Sequence, residues 1–271
     1  MTRRVLAFLG GTLWLIIALA PFDYMVVAAL RTQNGYFTEN PWLPTGELTL
    51  ANVGDVVDSG LGRYVLNSVV VTVAGIVLTL ALALAFAYHV VKHRTRAGSL
   101  LFRMIVVGLA IPVQAIVVPL FVVVTKIHLY DSLIGLILVM AASAMPLTVV
   151  VVANFVRDIP DELIAAMRID GAGNWTILFR LVAPMTTGAL GIVAVFNGLA
   201  MWNNFLIPLL FTQSESKALL PLGLYNFQSE HGVDVPAVMT MVVLSSLPLI
   251  LLFLGTRKYA MQALGGMATM R

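Results

Sequence analysis

Residues 64–91 read YVLNSVVVTVAGIVLTLALALAFAYHVV and contain no Asp, Glu, Lys or Arg. A helix needs about 20 apolar residues to cross the hydrocarbon core of a bilayer, and this run exceeds that. Lipid offers no water to unpaired backbone N–H and C=O groups, so such a run is helical rather than extended. Five more runs qualify, at about 5–30, 100–124, 133–156, 185–211 and 235–256. Together they predict an all-α membrane protein with six transmembrane helices in one domain, 1–271. Composition agrees: 60% of residues are hydrophobic and 11% charged, against about 25% charged in a soluble domain. The first run follows Arg3 and Arg4 and contains Ala18-Leu19-Ala20. It continues past Pro21, beyond the 7–15 apolar residues typical of a signal core, and is read as an uncleaved helix.

Lysine and arginine set the orientation. With the N-terminus inside, Arg3, Arg4, Lys92, Arg94, Arg96, Arg103, Arg157, Arg168, Arg180, Arg257, Lys258 and Arg271 are cytoplasmic, and Arg31, Arg63, Lys126 and Lys217 are external. That asymmetry puts both termini in the cytoplasm. The external loops are then 31–63 and 212–234, and the internal ones a short basic turn, 92–99, and the segment 157–184.

Residues 157–184 are too long and too apolar for a plain connector. Pro160 suits a first helical position, Asp161 and Glu162 suit the positive end of a helix dipole, and Leu163, Ile164, Ala166 and Met167 recur at helical spacing. Gly171 and Gly173 interrupt the pattern, and Asn174 is a candidate N-cap for a second helix. Trp175, Leu178, Phe179 and Val182 then form one apolar stripe, and Pro184 begins the next span. Two readings stay open from physics alone: an interfacial helix pair lying in the headgroups, or a docking surface for a cytoplasmic partner.

Here the chain resembles the permease subunits of bacterial carbohydrate ABC importers, the maltose-type family. Their cytoplasmic signature, Glu-Ala-Ala, three residues, Gly, nine residues and Ile-x-Leu-Pro, aligns with Ala165-Ala166-Met167, Gly171 and Leu181-Val182-Ala183-Pro184. The signature glutamate is replaced by Ala165, its second alanine by Met167, and its late Ile and Leu by Leu181 and Ala183. The likeness extends over Ile111-Pro112, Val118 to Phe121, Leu129 to Leu138, Trp202 to Phe205, Pro208 to Leu210 and Leu220 to Leu224, in order and with matching topology.

The resemblance implies a type I ABC importer permease. It implies a second homologous permease subunit forming a heterodimer, two ABC ATPase subunits, and an extracytoplasmic sugar-binding protein. It makes the helix after Pro160 the coupling helix, with Glu162, Ala165, Ala166, Met167, Arg168, Asp170 and Gly171 at the ATPase. It also makes Leu222, Gly223, Tyr225, Asn226 and Phe227 the tip of an external loop reaching into the binding protein. The ordinary alternative for that segment is a capped loop.

A phosphate-binding loop requires Gly-x4-Gly-Lys-Ser/Thr, and no Gly-Lys pair occurs. ATP and its magnesium are therefore expected on partner ATPases, with no cofactor in this chain.

Polar residues within spans are candidates for the substrate pathway or for helix–helix contact. Trp202, Asn203 and Asn204 suit the faces and hydroxyls of a sugar; Asn67, Ser68, Gln114 and Asn197 are weaker candidates. Asp23 is read as solvated near an external helix end, and His89 and His93 as headgroup contacts beside Lys92. His128 and His231 are external, far apart in sequence, and make no metal site. There is no cysteine, no Ser-His-Asp or paired-carboxylate arrangement, and no basic stripe with interleaved aromatics for nucleic acid. No metal or catalytic site is expected. The alternatives are an ABC permease for a non-sugar solute, a stand-alone secondary transporter, which usually carries internal repeats and midplane ionisable groups, and a membrane enzyme.

Overall fold

The structure, a computed structural model, describes residues 2–93, 95–229 and 232–268. Arg94, His231 and Arg271, assigned to membrane sides above, lie outside the described residues. In chain order, α1 spans Thr2–Ala29, α2 Gln33–Thr38, α3 Ala51–Asp58, α4 Leu61–His93, α5 Arg96–Gly108, α6 Val113–Lys126 and α7 Leu133–Arg157. Then follow α8 Asp161–Ile169, α9 Asn174–Ile177, α10 Ala183–Met185, α11 Thr187–Trp202, α12 Leu206–Phe211, α13 Leu220–Gly223 and α14 Val235–Ala268. A π-helical turn, Leu178–Val182, joins α9 to α10. The only strands among the described residues form a small antiparallel hairpin, Gln228–Ser229 with Gly232–Val233.

Helices α1, α4 and α7 run unbroken over the apolar runs that predicted them. The third and fifth runs, expected as single helices, are broken. The third becomes α5 and α6, bent by 116°. Pro112 is the cause: it sits at the N-cap of α6 with extended ψ of 138°, supplies no N–H, and drives Ile111 out of helical conformation. At the start of the fifth run, the stretch from Asn174 to Met185, mostly internal segment, meets α11 at 76°; within the run a break at Asn203–Phe205 separates α11 from α12.

The chain divides into two compact units, residues 1–65 with 222–271 and residues 66–221. In the first, α14 packs on α1 and α3. Polar groups close the C-terminal end of α1, whose last carbonyls have no helical partner. Asn52, buried on α3, donates to the carbonyls of Ala29 at 2.8 Å and Arg31 at 2.7 Å. The Thr240 hydroxyl of α14 also reaches the Ala29 carbonyl, at 3.0 Å. Arg31, expected as an external loop charge, is instead 1% exposed. Its guanidinium donates to the carbonyls of Asn40 and, at 2.7 Å, Leu43, with the Glu39 carboxylate 3.7 Å away. The loop after α1 is thus folded around a buried cation. Most of α1 remains uncovered, with Leu6, Phe8, Leu13 and Trp14 exposed, a surface suited to lipid.

The second unit holds two apolar clusters. One joins Leu84 and Tyr88 of α4 to Val152 and Val156 of α7, Ile164 of α8 and Leu178 and Val182 of the π turn. The other joins Val71 of α4, Val117 of α6, Leu136 and Met140 of α7, Met201 of α11 and Phe211 of α12. A buried polar pair links α7 and α11, with the Asn197 amide donating to Thr148 Oγ1 at 2.9 Å.

Replacing Arg31 by Ala removes one partner of a buried ion pair and orphans two carbonyls, with an expected loss of about 3 kcal/mol. Thermal unfolding of the detergent-solubilised chain reads it, and an unchanged midpoint counts against the buried-cation arrangement.

Candidate functional site

Helix α8 is short, polar at both ends and mounted on the second unit by one face. Pro160, expected as the first helical residue, is its N-cap residue. Asp161 and Glu162 occupy the first turn and Arg168 the last, each favourably placed against the helix dipole. Ile164 is buried and Met167 half-buried against the apolar cluster, whereas Glu162, Leu163, Ala165, Ala166, Arg168 and Asp170 are exposed. Ile169 is 86% exposed, which no packing within this chain accounts for. All seven expected coupling residues except Met167 therefore face outward.

Both ends of α8 are held. At its start, Lys92, the last lysine of α4, donates to the Ile159 carbonyl at 2.6 Å and to the Asp161 carboxylate at 2.8 Å. By sequence Lys92 is an orienting charge in a basic turn at the headgroups; nothing local marks it as a tie to α8. At its end the Gly171 N–H bonds the Arg168 carbonyl at 3.0 Å and the Ala172 N–H bonds the Met167 carbonyl at 2.9 Å. That pair is a Schellman turn, which needs a left-handed residue; Gly171 supplies it at φ +82°. An added Cβ at Gly171 would meet nothing within 4 Å, so φ and not space is what requires glycine there.

The next helix departs from expectation in two ways. Its N-cap is Gly173, not Asn174. The predicted stripe also splits: Leu178 and Val182 are buried, but Trp175 and Phe179 are exposed and stacked on each other with ring centroids 6.0 Å apart. The π turn adds a residue to that helical turn, and only the Leu178/Val182 side meets the apolar cluster. His89 and His93, expected at headgroups, stack with centroids 5.0 Å apart, and His93 also meets Tyr88 edge-on.

Of the expected pathway residues, the fold brings two together. Asn197 and Asn204 line a recess of about 210 Å³ with Ser143 of α7, Met140 and Met201. Asn204 Oδ1 accepts from the Ile207 N–H at 3.0 Å, capping α12 at the break. Asn203 turns back on its own helix, donating to the Leu199 carbonyl at 2.9 Å. Trp202 is buried, and Gln114 is exposed in the first turn of α6. Asn67 is a clamp instead: its amide donates to the carbonyls of Ser216 and Ala218, both at 3.0 Å, while Ser68 Oγ accepts from the Leu220 N–H at 2.8 Å.

The segment expected as an external tip is packed more closely than a free loop. Leu222 and Phe227 are half-buried and Tyr225 is exposed; the Asn226 side chain lies outside the described residues. Gly223 is tightly enclosed, since a Cβ there would lie 2.5 Å from Met241 Cε and 2.8 Å from Tyr64 Cδ2. Asp131, which the sequence marks only as part of the Leu129 to Leu138 resemblance, organises the other connection. It adopts φ +54°, its Oδ1 accepts from the N–H groups of Gln213 and Ser214 at 2.9 Å each, and its Oδ2 accepts from the Ser214 hydroxyl. These bonds, the Ser214 hydroxyl first, hold its carboxyl below the ordinary carboxylate pKa.

Residues 75–263 match the family described as binding-protein-dependent transport system inner membrane component. An ABC transporter permease protein of Caldicellulosiruptor sp., ORF2, is 31% identical over 91% of this chain and 90% of its own length. The diacetylchitobiose uptake system permease protein NgcG of Streptomyces coelicolor is 29% identical over 89% of this chain and 80% of its own. In structure, the chain is similar to one from a bacterial ABC transporter involved in importing the acidic polysaccharide alginate, with a TM-score of 0.82, 20% identity and coverage of 95% and 97%; that likeness carries the fold alone. The chain belongs to the binding-protein-dependent inner-membrane component family. It is a multi-pass membrane permease component of an ABC importer.

Two expectations follow. Gly171→Val forces a β-branched residue into left-handed backbone, at about 1–2 kcal/mol, and is expected to abolish uptake with the chain still in the membrane. Gly171→Asn and Gly173→Ser, the latter at an ordinary φ of −74°, keep most of it; equal uptake in all three removes the φ requirement. The Asp131 carboxyl is depressed in the folded state, so its contribution is complete above the unfolded carboxylate pKa of about 3.9 and is lost as pH falls through the folded value. The unfolding-midpoint gap between wild type and Asp131→Asn should therefore be constant from about pH 5 to 8 and close below about pH 4.

Proposed function

We propose that this chain is one half of the translocation pathway of an importer for a neutral sugar or oligosaccharide. It crosses the membrane six times with both termini cytoplasmic, the third and fifth crossings being made by the broken helices α5–α6 and α11–α12. An extracytoplasmic binding protein delivers the solute, a second homologous permease subunit completes the pathway, and two ABC ATPases supply ATP binding and hydrolysis with their own magnesium. Closure of the ATPase pair moves α8 and turns the pathway from one side of the membrane to the other, a two-state element biased by a distant ligand.

The observation that carries this reading is the mounting of α8: Lys92 at one end, a Schellman turn at the other, and an outward face bearing the 86%-exposed Ile169. With Ala165 in place of the signature glutamate, docking rests on Glu162, Arg168, Asp170 and apolar fit. A sugar cargo is supported by the diacetylchitobiose relative and by the recess at Asn197, Asn204 and Ser143, whose lining carries amides, a hydroxyl and apolar groups but no charge.

The natural absence of cysteine makes single-cysteine labelling direct. An impermeant maleimide should label Thr45→Cys in intact spheroplasts and Ala165→Cys only in opened membranes. In the assembled transporter Ala165→Cys should crosslink to an ATP-hydrolysing subunit. The reverse labelling pattern, or ATP-independent uptake by the chain alone in liposomes, overturns the proposal.

A further inference from the structure

A recess of about 390 Å³ lies where α4 ends, α5 begins and α7 ends, lined by Val90, Val91, Ser99, Phe102, Arg103 and Arg157. It is separate from the outward face of α8 and from the Asn197 recess. Val90, Val91 and Phe102 give it an apolar lining, and Arg103 and Arg157, both exposed, give it two guanidinium groups. The Arg157 guanidinium lies over the Phe102 ring, 5.6 Å from its centroid, and donates one bond to Asn154 Oδ1 at 2.9 Å. Arg103 Nε reaches only its own helix, the Ser99 carbonyl at 3.4 Å. Each guanidinium has five N–H donors, so most remain available. Among the described residues neither arginine has a carboxylate within ion-pair distance; Asp158, next in sequence, is exposed and makes no ion pair with Arg157.

The level of this recess along the membrane helices follows from the sequence. Val91 is the last apolar residue of α4 before Lys92, and Arg157 is the last residue of α7. Both mark where hydrocarbon gives way to headgroups. Beyond the recess, α5 continues as an uncovered apolar surface of Leu100, Leu101, Met104 and Val107. Two guanidiniums suited to bidentate contact with phosphate oxygens, set beside a greasy helix face at headgroup depth, match an amphiphile with an anionic head. A soluble anion has no use for the apolar flank. Basic pockets between membrane helices are a recognised way of holding anionic lipid headgroups.

We propose that this recess binds the phosphate headgroup of an anionic phospholipid, with its acyl chains along α5. The arginines hold the phosphate, Ser99 adds a hydroxyl, and Phe102 keeps Arg157 aimed. A lipid seated there braces the α5 start against the end of α7, which leads directly into α8. The proposal rests on the six-span reading for the depth of the recess and not on the nature of the transported solute.

The test uses the full chain purified with its partner subunits and reconstituted in phosphatidylcholine nanodiscs containing a minority of phosphatidylglycerol, with retained lipid counted by mass spectrometry after detergent extraction. Wild type should retain phosphatidylglycerol over phosphatidylcholine. Arg103→Gln should weaken that retention about fivefold and the Arg103→Gln/Arg157→Gln pair about thirtyfold. The charge-keeping Arg103→Lys/Arg157→Lys pair, which cannot make the bidentate contact, should fall between wild type and the double Gln variant, and Arg4→Gln, a basic residue elsewhere, should keep all of it. Equal retention in the double Gln variant, or no preference for the anionic lipid, overturns the proposal. So does displacement from wild type by millimolar inorganic phosphate, which would mark a free-anion site; this arm holds even if the Gln variants fail to assemble. Uptake measured on the same preparations separates loss of this lipid site from failure of the transport reading.

Discussion

A backbone in hydrocarbon must pair its own N–H and C=O groups, because nothing in the solvent will. Continuous helices meet that demand automatically; α4 does so without interruption, whereas α1 and α7 each lose one bond at Pro21 and Pro146, which have no N–H. Wherever a helix in this chain stops or bends, the freed groups need a named replacement. Asn204 caps α12 where α11 ends, Thr186 bonds the Val182 carbonyl at the kink before α11, Asn52 and Thr240 close the end of α1, and the Schellman turn closes α8.

The same constraint relates structure to function. A permease needs irregular backbone to make a polar recess and to present a short helix to a partner, and irregular backbone is tolerated only where it is re-paired. The Asn197–Asn204 recess lies beside the α11–α12 break, and α8 lies between two such repairs. Lys92 is instructive: one ammonium satisfies the Ile159 carbonyl and pairs with Asp161, fixing the start of α8 to the end of α4. Pinned at both ends and packed through Ile164 and Met167, α8 is fixed to α4 and α7 rather than hung as a loose loop.

Legibility in the sequence divides along the range of the interaction responsible. The α8 helix, its acidic first turn and its glycine stop were readable because caps, dipole charges and positive φ act within a turn of chain. The break at Pro112 was visible as a proline yet read as part of one span, since a single apolar run says nothing about how sharply two halves diverge. The Trp175 stripe was misread because a π turn changes which residues share a face, and no local propensity announces it.

Asn67, Asn197 and Asn204 looked alike as polar residues in apolar runs, yet one clamps a distant loop, one bonds Thr148 and one caps a helix beside a recess. Those partners lie 149, 49 and 3 positions away, and only the last is local. By itself, therefore, the sequence determined that this is a helical membrane protein with a structured helix–turn–helix between its fourth and fifth apolar runs, because apolar length, charge placement and turn chemistry are properties of neighbouring residues. Only the tertiary structure decided that Arg31 is buried, that Lys92 and Asp131 are ties rather than loose charges, and which asparagines face a recess, because each of these is settled by what packs against the residue from elsewhere in the chain.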